Sequence, residues 1–193
     1  AAVSHNMSQN KEIETQLRII LACEKGATGV YYGHRIIAKL FFRDMITTLD
    51  EMHRHETEHF YLFGNFLAQY KNSVALPSLL WCVGGILYGL LIGLFGRNAI
   101  WVSTASIENI VNKELEEAAF FFKEKNIKIY QAVLDIQEDE ISHQHIALEH
   151  ADFNFPLAKM IAKFAQQCAY LAKFLAIHLK ISMPSKKNSP LTD

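Results

Sequence analysis

Proline is scarce: the chain has four, at positions 77, 156, 184 and 190. Neither 1–76 nor 78–155 therefore contains the residue that most reliably breaks a helix. Strand-type alternation is scarce too. Cysteine is limited to Cys23, Cys82 and Cys168, odd in number and far apart, which excludes a disulfide framework or thiolate metal site and fits a reducing compartment. Charge of one sign is also lacking, since the formal net charge is −1. No global field draws the chain to nucleic acid, so no nucleic-acid partner is expected. Residues 1–10 show neither the basic and apolar regions of a signal peptide nor the arginine of a transit sequence. That leaves a cytoplasmic protein or one whose leader has been removed.

What is present is helical periodicity. At 193 residues there is room for one domain with a substantial core. Apolar residues recur at three- and four-residue steps, as in Ile13, Leu17, Ile20, Leu21 and again in Ile127, Ile129, Val133, Leu134, Ile136. The pattern predicts helices near 10–42, 45–71, 78–95, 98–124, 126–151 and 156–181, with Pro156 in the first turn of the last. Residues 10–181 are expected to form a single helical domain and 182–193 a disordered tail. Charge is unevenly placed. Glu108–Asp152 holds eleven acidic residues and four lysines, whereas from Pro156 onward six lysines face Asp193 alone. A basic end on an acidic chain points to an anionic surface such as lipid headgroups. Lys159, Lys163, Lys173 and Lys180 border apolar runs of the last helix, the pattern of an interfacial helix.

Residues 72–96 carry no charge, and Gly85, Gly89 and Gly93 repeat at four-residue steps, which lets another helix approach closely. About 20 apolar residues cross a bilayer, so this stretch is near spanning length. It reads as a buried hairpin helix, as a helix resting on a membrane, or as a span. A span would put the flanking helices on opposite sides of the bilayer, and an internal repeat argues against that.

The repeat carries the chemistry. Glu-x-x-His occurs at Glu56–His59 and at Glu140–His143, and residues three apart share a helix face. Glu24 precedes Glu56 by 32 positions, and Glu108 precedes Glu140 by 32. All three positions recur at an offset of 84: 24 to 108, 56 to 140, 59 to 143. Two helix hairpins follow, each giving one Glu from its first helix and a Glu-x-x-His from its second. Such a set defines the all-α, ferritin-like four-helix bundle that holds two metal ions, here with a hydrophobic hairpin helix and a C-terminal amphipathic helix added. The predicted ligands are Glu24, Glu56, His59, Glu108, Glu140 and His143. Four carboxylates balance two divalent ions, and the mixed O/N set suits Fe or Mn, with zinc also compatible by ligand type. Glu108 is expected to bridge the ions. Glu114 is expected to stand outside the site, because six residues advance a helix by about 240° net. His53, His55, His145 and His150 read as solvated or peripheral, Tyr31 and Tyr32 as core packing, and Cys23 as small core filler.

Several segments resemble one family. Glu24-Lys-Gly-Ala-Thr-Gly-Val-Tyr-Tyr-Gly33 is similar to the Glu-x-Gly-Ala-x-x-x-Tyr-x-Gly segment of the demethoxyubiquinone hydroxylases of ubiquinone biosynthesis. Leu76-Pro77 through Trp81, Gly84-Gly85 and Leu94-Phe-Gly96 resembles that family's membrane-associated hairpin. Ser103-Thr-Ala-Ser-Ile-Glu108 and Asp139-Glu-Ile-Ser-His143 resemble its third and last ligand segments. The resemblance spans roughly 15–180. It implies a monooxygenase with two Fe ions, with O₂ and an NADH-derived reductant as co-substrates, the electrons passing directly or through the quinol. It implies a quinone-type lipid as substrate. It also implies a peripheral inner-membrane location, on the cytoplasmic face in a bacterium or the matrix face of a mitochondrion. A homo-oligomer or a partner protein of the same pathway remains open.

Three departures fall outside the ligand set. The family has His-Ala-Gly where this chain has Leu21-Ala22-Cys23, and His-Tyr where it has Glu114 and Leu115. Its cavity aromatic on the last helix aligns with Phe174. These positions bear on substrate and electron route. They leave two alternatives: another ferritin-like di-iron oxidase or peroxidase, and a catalytically silent lipid-binding assembly protein.

Overall fold

The computed structural model describes residues 2–70, 76–77, 79–179 and 181–182. Six helices account for nearly all of them: α1 (Ala2–Phe41), α2 (Ile46–Tyr70), α3 (Leu79–Leu94), α4 (Arg97–Lys123), α5 (Ile127–His150) and α6 (Ala158–His178). A 3₁₀ turn, Arg43–Met45, joins α1 to α2, and a two-residue parallel bridge pairs β1 (Leu76–Pro77) with β2 (Ile181–Ser182). Two ends differ from expectation. α1 begins at Ala2, since nothing between residues 2 and 9 disfavours a helix. α6 begins at Ala158, leaving Pro156 in the turn before it. Of the tail expected from 182, Ser182 pairs with Pro77, and 183–193 lie outside the described residues.

α1 and α2 form one antiparallel hairpin, and α4 and α5 another; together they make the four-helix bundle. Each helix buries a stripe at three- and four-residue steps. On α2 the stripe runs Leu49, Met52, Glu56, His59, Phe60, Phe63, Leu67. Two apolar plugs fill the bundle. One gathers Leu17, Leu21, Phe63, Phe122, Ile129 and Val133; the other gathers Tyr31, Leu49, Met52, Ile100, Trp101 and Ala147. On α1, α2, α4 and α5 the six predicted ligand positions fall between these plugs. Burying charge at mid-height is expensive, so the polar band must be satisfied by something it binds.

α3 packs along α1 through glycine. A Cβ on Gly85 would sit 2.2 Å from the Gly26 carbonyl oxygen, and one on Gly29 would sit 2.2 Å from that of Cys82. The close approach anticipated from the glycine repeat is therefore made to α1, backbone against backbone. Gly96, at φ 103, is the corner between α3 and α4, a conformation that favours glycine. Among the described residues no helix is long and apolar enough to cross a membrane. α6 covers α4 and α1.

His34, fully buried on α1, pins this contact by donating Nδ1–H to the Gly89 carbonyl at 2.9 Å, while its Nε2 has no partner. Burial lowers its pKa from an ordinary 6.5 to about 4, against the raising effect of the Gly89 bond. Between those two pH values the unfolded chain binds a proton that the folded chain refuses. Stability should therefore be unaffected above pH 6.5 and fall as pH drops toward 4, by about 3 kcal/mol from this residue. Urea melts at pH 7 and pH 4.5 should show a smaller acid loss in His34→Asn than in wild type; equal losses would place the acid sensitivity elsewhere.

Candidate metal centre

Glu24 comes from α1, Glu56 and His59 from α2, Glu108 from α4, and Glu140 and His143 from α5; none is more than 4% exposed. They form two overlapping groups, each with ligand atoms within 4.8 Å of one another: Glu24, Glu56, His59, Glu140 and Glu56, Glu108, Glu140, His143. The shared pair is Glu56 and Glu140. Glu108, expected to bridge, belongs to one group alone, as does Glu24. An offset of 84 makes Glu24 and Glu108 equivalents, so they share a role, and each occupies the outer end of its own group.

His59 Nδ1 lies 3.1 Å from Glu140 Oε1 and 3.4 Å from Glu24 Oε2. His143 Nδ1 lies 3.2 Å from both Glu56 Oε1 and Glu140 Oε2. Both rings thus turn the same nitrogen inward. Burial and mutual repulsion push the Glu56 and Glu108 carboxyls well above the usual range, and burial raises Glu24 as well. Burial also works against charge on Glu140, but hydrogen bonds with His143 and His59 outweigh it and hold that carboxyl low. Burial opposes a charged His59, yet its bonds to Glu140 and Glu24 hold it up at about 11. Glu108 Oε2 is buried without any hydrogen-bond partner, and Glu24 Oε2 and Glu56 Oε1 face one imidazole nitrogen each, outside good hydrogen-bond geometry. Carboxylate oxygens so poorly satisfied, around two inward imidazole nitrogens, fit a pair of divalent cations.

Three residues reach the site that sequence reasoning missed. Asp139 Oδ2 lies 2.9 Å from His59 Nε2. His55, expected to be solvated, is half-buried, with Nδ1 2.9 Å from His143 Nε2 and its ring stacked on His143 at 5.2 Å. Tyr31, expected in the core, is buried there and also donates its hydroxyl to Glu108 Oε1 at 2.5 Å. A signal was available: Asp139 and His55 are themselves 84 apart and each immediately precedes the Glu of a Glu-x-x-His. The other histidines keep their peripheral reading. His145 is exposed, His150 is exposed and stacks on Trp101, and His53 is half-buried beside Tyr32.

A cavity of about 310 Å³ adjoins the site between α1, α3, α4 and α6, with Glu24 on its wall among Trp81, Gly85, Ile110, Leu115 and Leu175. It is largely apolar. Glu114 and Lys173 also line it and pair at 2.5 Å, so Glu114 stands outside the metal groups, as its helix angle requires. Lys173, expected at an interfacial edge of α6, points to this pair instead. Cys23 packs against the small core cluster of Ile19, Ala22, Trp81 and Ala176 and also lines the cavity, and burial, then Glu24 and Glu114, push its thiol up to about 12. The remaining departures do not line it. Leu21 lies in the first apolar plug, and Phe174, 56% exposed, packs on His178 because one residue beyond Lys173 turns it about 100° away.

The bundle and these groups define a class: ferritin-like helical enzymes whose paired carboxylate and imidazole groups suit a di-iron centre. Within that class, the chain belongs to the family described as ubiquinone biosynthesis protein COQ7, which it matches over residues 11–176. It is 26% identical over 161 residues to a Dictyostelium discoideum protein named NADPH-dependent 3-demethoxyubiquinone 3-hydroxylase, mitochondrial, across 80% of this chain and 71% of the relative. A Legionella pneumophila (strain Lens) protein named 3-demethoxyubiquinol 3-hydroxylase is 26% identical over 169 residues, across 84% of this chain and 78% of the relative.

Proposed function

We propose that the chain hydroxylates the ring of a quinone-type lipid, a demethoxyubiquinone-like intermediate, at a membrane surface, with Glu24, Glu56, His59, Glu108, Glu140 and His143 holding two iron ions. The observation that carries this reading is an apolar cavity with a metal-site carboxylate, Glu24, in its wall. Bound iron would supply the redox chemistry that reduces O₂ and places one oxygen atom on the ring. Electrons would come from a reduced nicotinamide nucleotide or from the quinol. The protein's part is positional. Glu56 and Glu140, common to both ligand groups, would hold either ion, while Asp139 and His55 fix the outward nitrogens of His59 and His143. Trp81, Ile110 and Leu115 keep water from the ring. Anaerobically reduced, iron-loaded protein should consume O₂ faster with a demethoxyquinone than without it, and the product should gain one oxygen by mass spectrometry. O₂ uptake indifferent to the quinone would favour a simple oxidase. No uptake would favour a silent lipid-binding protein.

Membrane attachment is part of the proposal. Away from α1, α3 exposes Leu80, Leu87, Leu91 and Leu94, and α6 exposes Met160, Phe164 and Leu171 together with Lys159 and Lys163. An apolar face bordered by lysines suits the headgroup boundary of an anionic bilayer. Leu87, 63% exposed, and Leu91 can be changed to Asp without disturbing the core. The double variant should lose flotation with anionic liposomes while keeping the wild-type melting temperature; undiminished flotation would remove α3 from the contact.

A further inference from the structure

The 84-residue repeat relates the two halves of the metal centre, and their immediate surroundings break that symmetry at two places. The first is behind the histidines. Position 139 is Asp and its counterpart, 55, is His. Each reaches across to the other half: Asp139 Oδ2 to His59 Nε2 at 2.9 Å, and His55 Nδ1 to His143 Nε2 at 2.9 Å. The contacts are alike in length and in the ring nitrogen used, but not in charge. A carboxylate behind an imidazole makes its inward nitrogen a stronger donor. An imidazole does this weakly, and at its own outer nitrogen His55 has the Arg54 guanidinium at 3.2 Å, nearer than the Glu51 carboxylate at 4.0 Å. The second place is behind the outer glutamates. Tyr31 donates to Glu108 Oε1, drawing charge from that carboxylate. The counterpart of Tyr31 is Leu115, which offers Glu24 no hydrogen bond. Both differences act in the same direction.

We infer that the two metal positions are unequal, that the one formed with Glu24 and His59 fills first, and that Asp139 and His55 are the positioning residues that set the order. This rests on the six residues being a binuclear metal centre. Changes to such outer partners typically alter metal affinity by about 10–100-fold, so the two steps should be separated by roughly that factor.

The test is an anaerobic calorimetric titration of the full metal-free chain with Co(II), followed also by the visible Co(II) absorption. Wild type should bind in two resolved steps with distinct spectra. Asp139→Asn should weaken the first step about 10–100-fold and leave the second nearly unchanged. His55→Asp should strengthen the second step and bring the two together. Tyr31→Phe should alter the second step alone. Circular dichroism melts of each metal-free variant establish folding, and if His55→Asp does not fold, the Asp139→Asn and Tyr31→Phe pair still decides. Two equal steps in wild type, or Asp139→Asn acting on the second step, would overturn the inference while leaving the binuclear centre intact. No Co(II) binding at all would overturn both.

Discussion

Glu140→Ala is expected to release both metal ions, taking the protein from close to two per chain to almost none, whereas Glu114→Ala should retain them. Glu140 belongs to both groups and contacts both histidines. Its loss therefore cannot be confined to one position, as the loss of Glu24 or Glu108 could be. Removing one partner from a buried charged set costs about 3–5 kcal/mol, because the groups left behind stay desolvated. Both effects can be read from one preparation, by elemental analysis of iron and by thermal melting. Glu114 has no place in either group and is held by Lys173 at the cavity wall. Its removal frees a lysine in an apolar pocket, which should change substrate binding and leave metal content alone. Equal loss of iron in the two variants would mean that Glu114 is a seventh ligand.

Gly85→Ala is expected to destabilise the fold by about 3 kcal/mol or more, beyond the usual range for an added methyl group. The new Cβ would lie 2.2 Å from a backbone oxygen of Gly26, and a carbonyl inside a helix cannot rotate away as a side chain can. The two helices must separate, and the His34–Gly89 hydrogen bond is strained with them. Gly84→Ala, one residue earlier, meets nothing within 4 Å. It should stabilise the protein by up to about 1 kcal/mol through helix propensity. Denaturant titration of the two neighbours compares packing with propensity in a single helix. Similar midpoints would show that α3 is only loosely held.

The contrast between these glycines indicates what the sequence made legible. Helix positions, the bundle and the convergence of six charged residues follow from local signals: period, proline placement and a twice-repeated motif. Gly85 and Gly89 announced a close helix contact but not its partner, because that partner, α1, lies more than fifty residues away in the chain. The same limit hid Asp139 and His55. Each sits beside a metal-site glutamate in sequence yet serves the histidine of the opposite hairpin, 80 and 88 residues distant. Helical spacing says which side of a helix a residue occupies; it does not say which neighbour stands there. Which glutamates the two groups share is set by how the hairpins approach one another, although the 84-residue offset already makes Glu108 and Glu24 equivalent. Lys173 reads as interfacial in the sequence because apolar residues flank it, whereas its pairing with the half-buried Glu114 of α4 depends on how α6 packs.

The seam between α1 and α3 has a mechanical consequence. Ordinary helix contacts are cushioned by side chains, which change rotamer and absorb small displacements. At Gly29, Gly33, Gly85 and Gly89 there is no cushion, and peptide groups bear directly on one another, Gly85 against the Gly26 carbonyl. Gly26 lies two residues from Glu24 on the same rigid rod. A push on the outer side of α3, where Leu87 and Leu91 face outward, would be transmitted to the backbone beside Glu24 with little loss. The seam behaves as a stiff strut, and whatever presses on the surface of α3 sets the position of a carboxylate buried in the bundle.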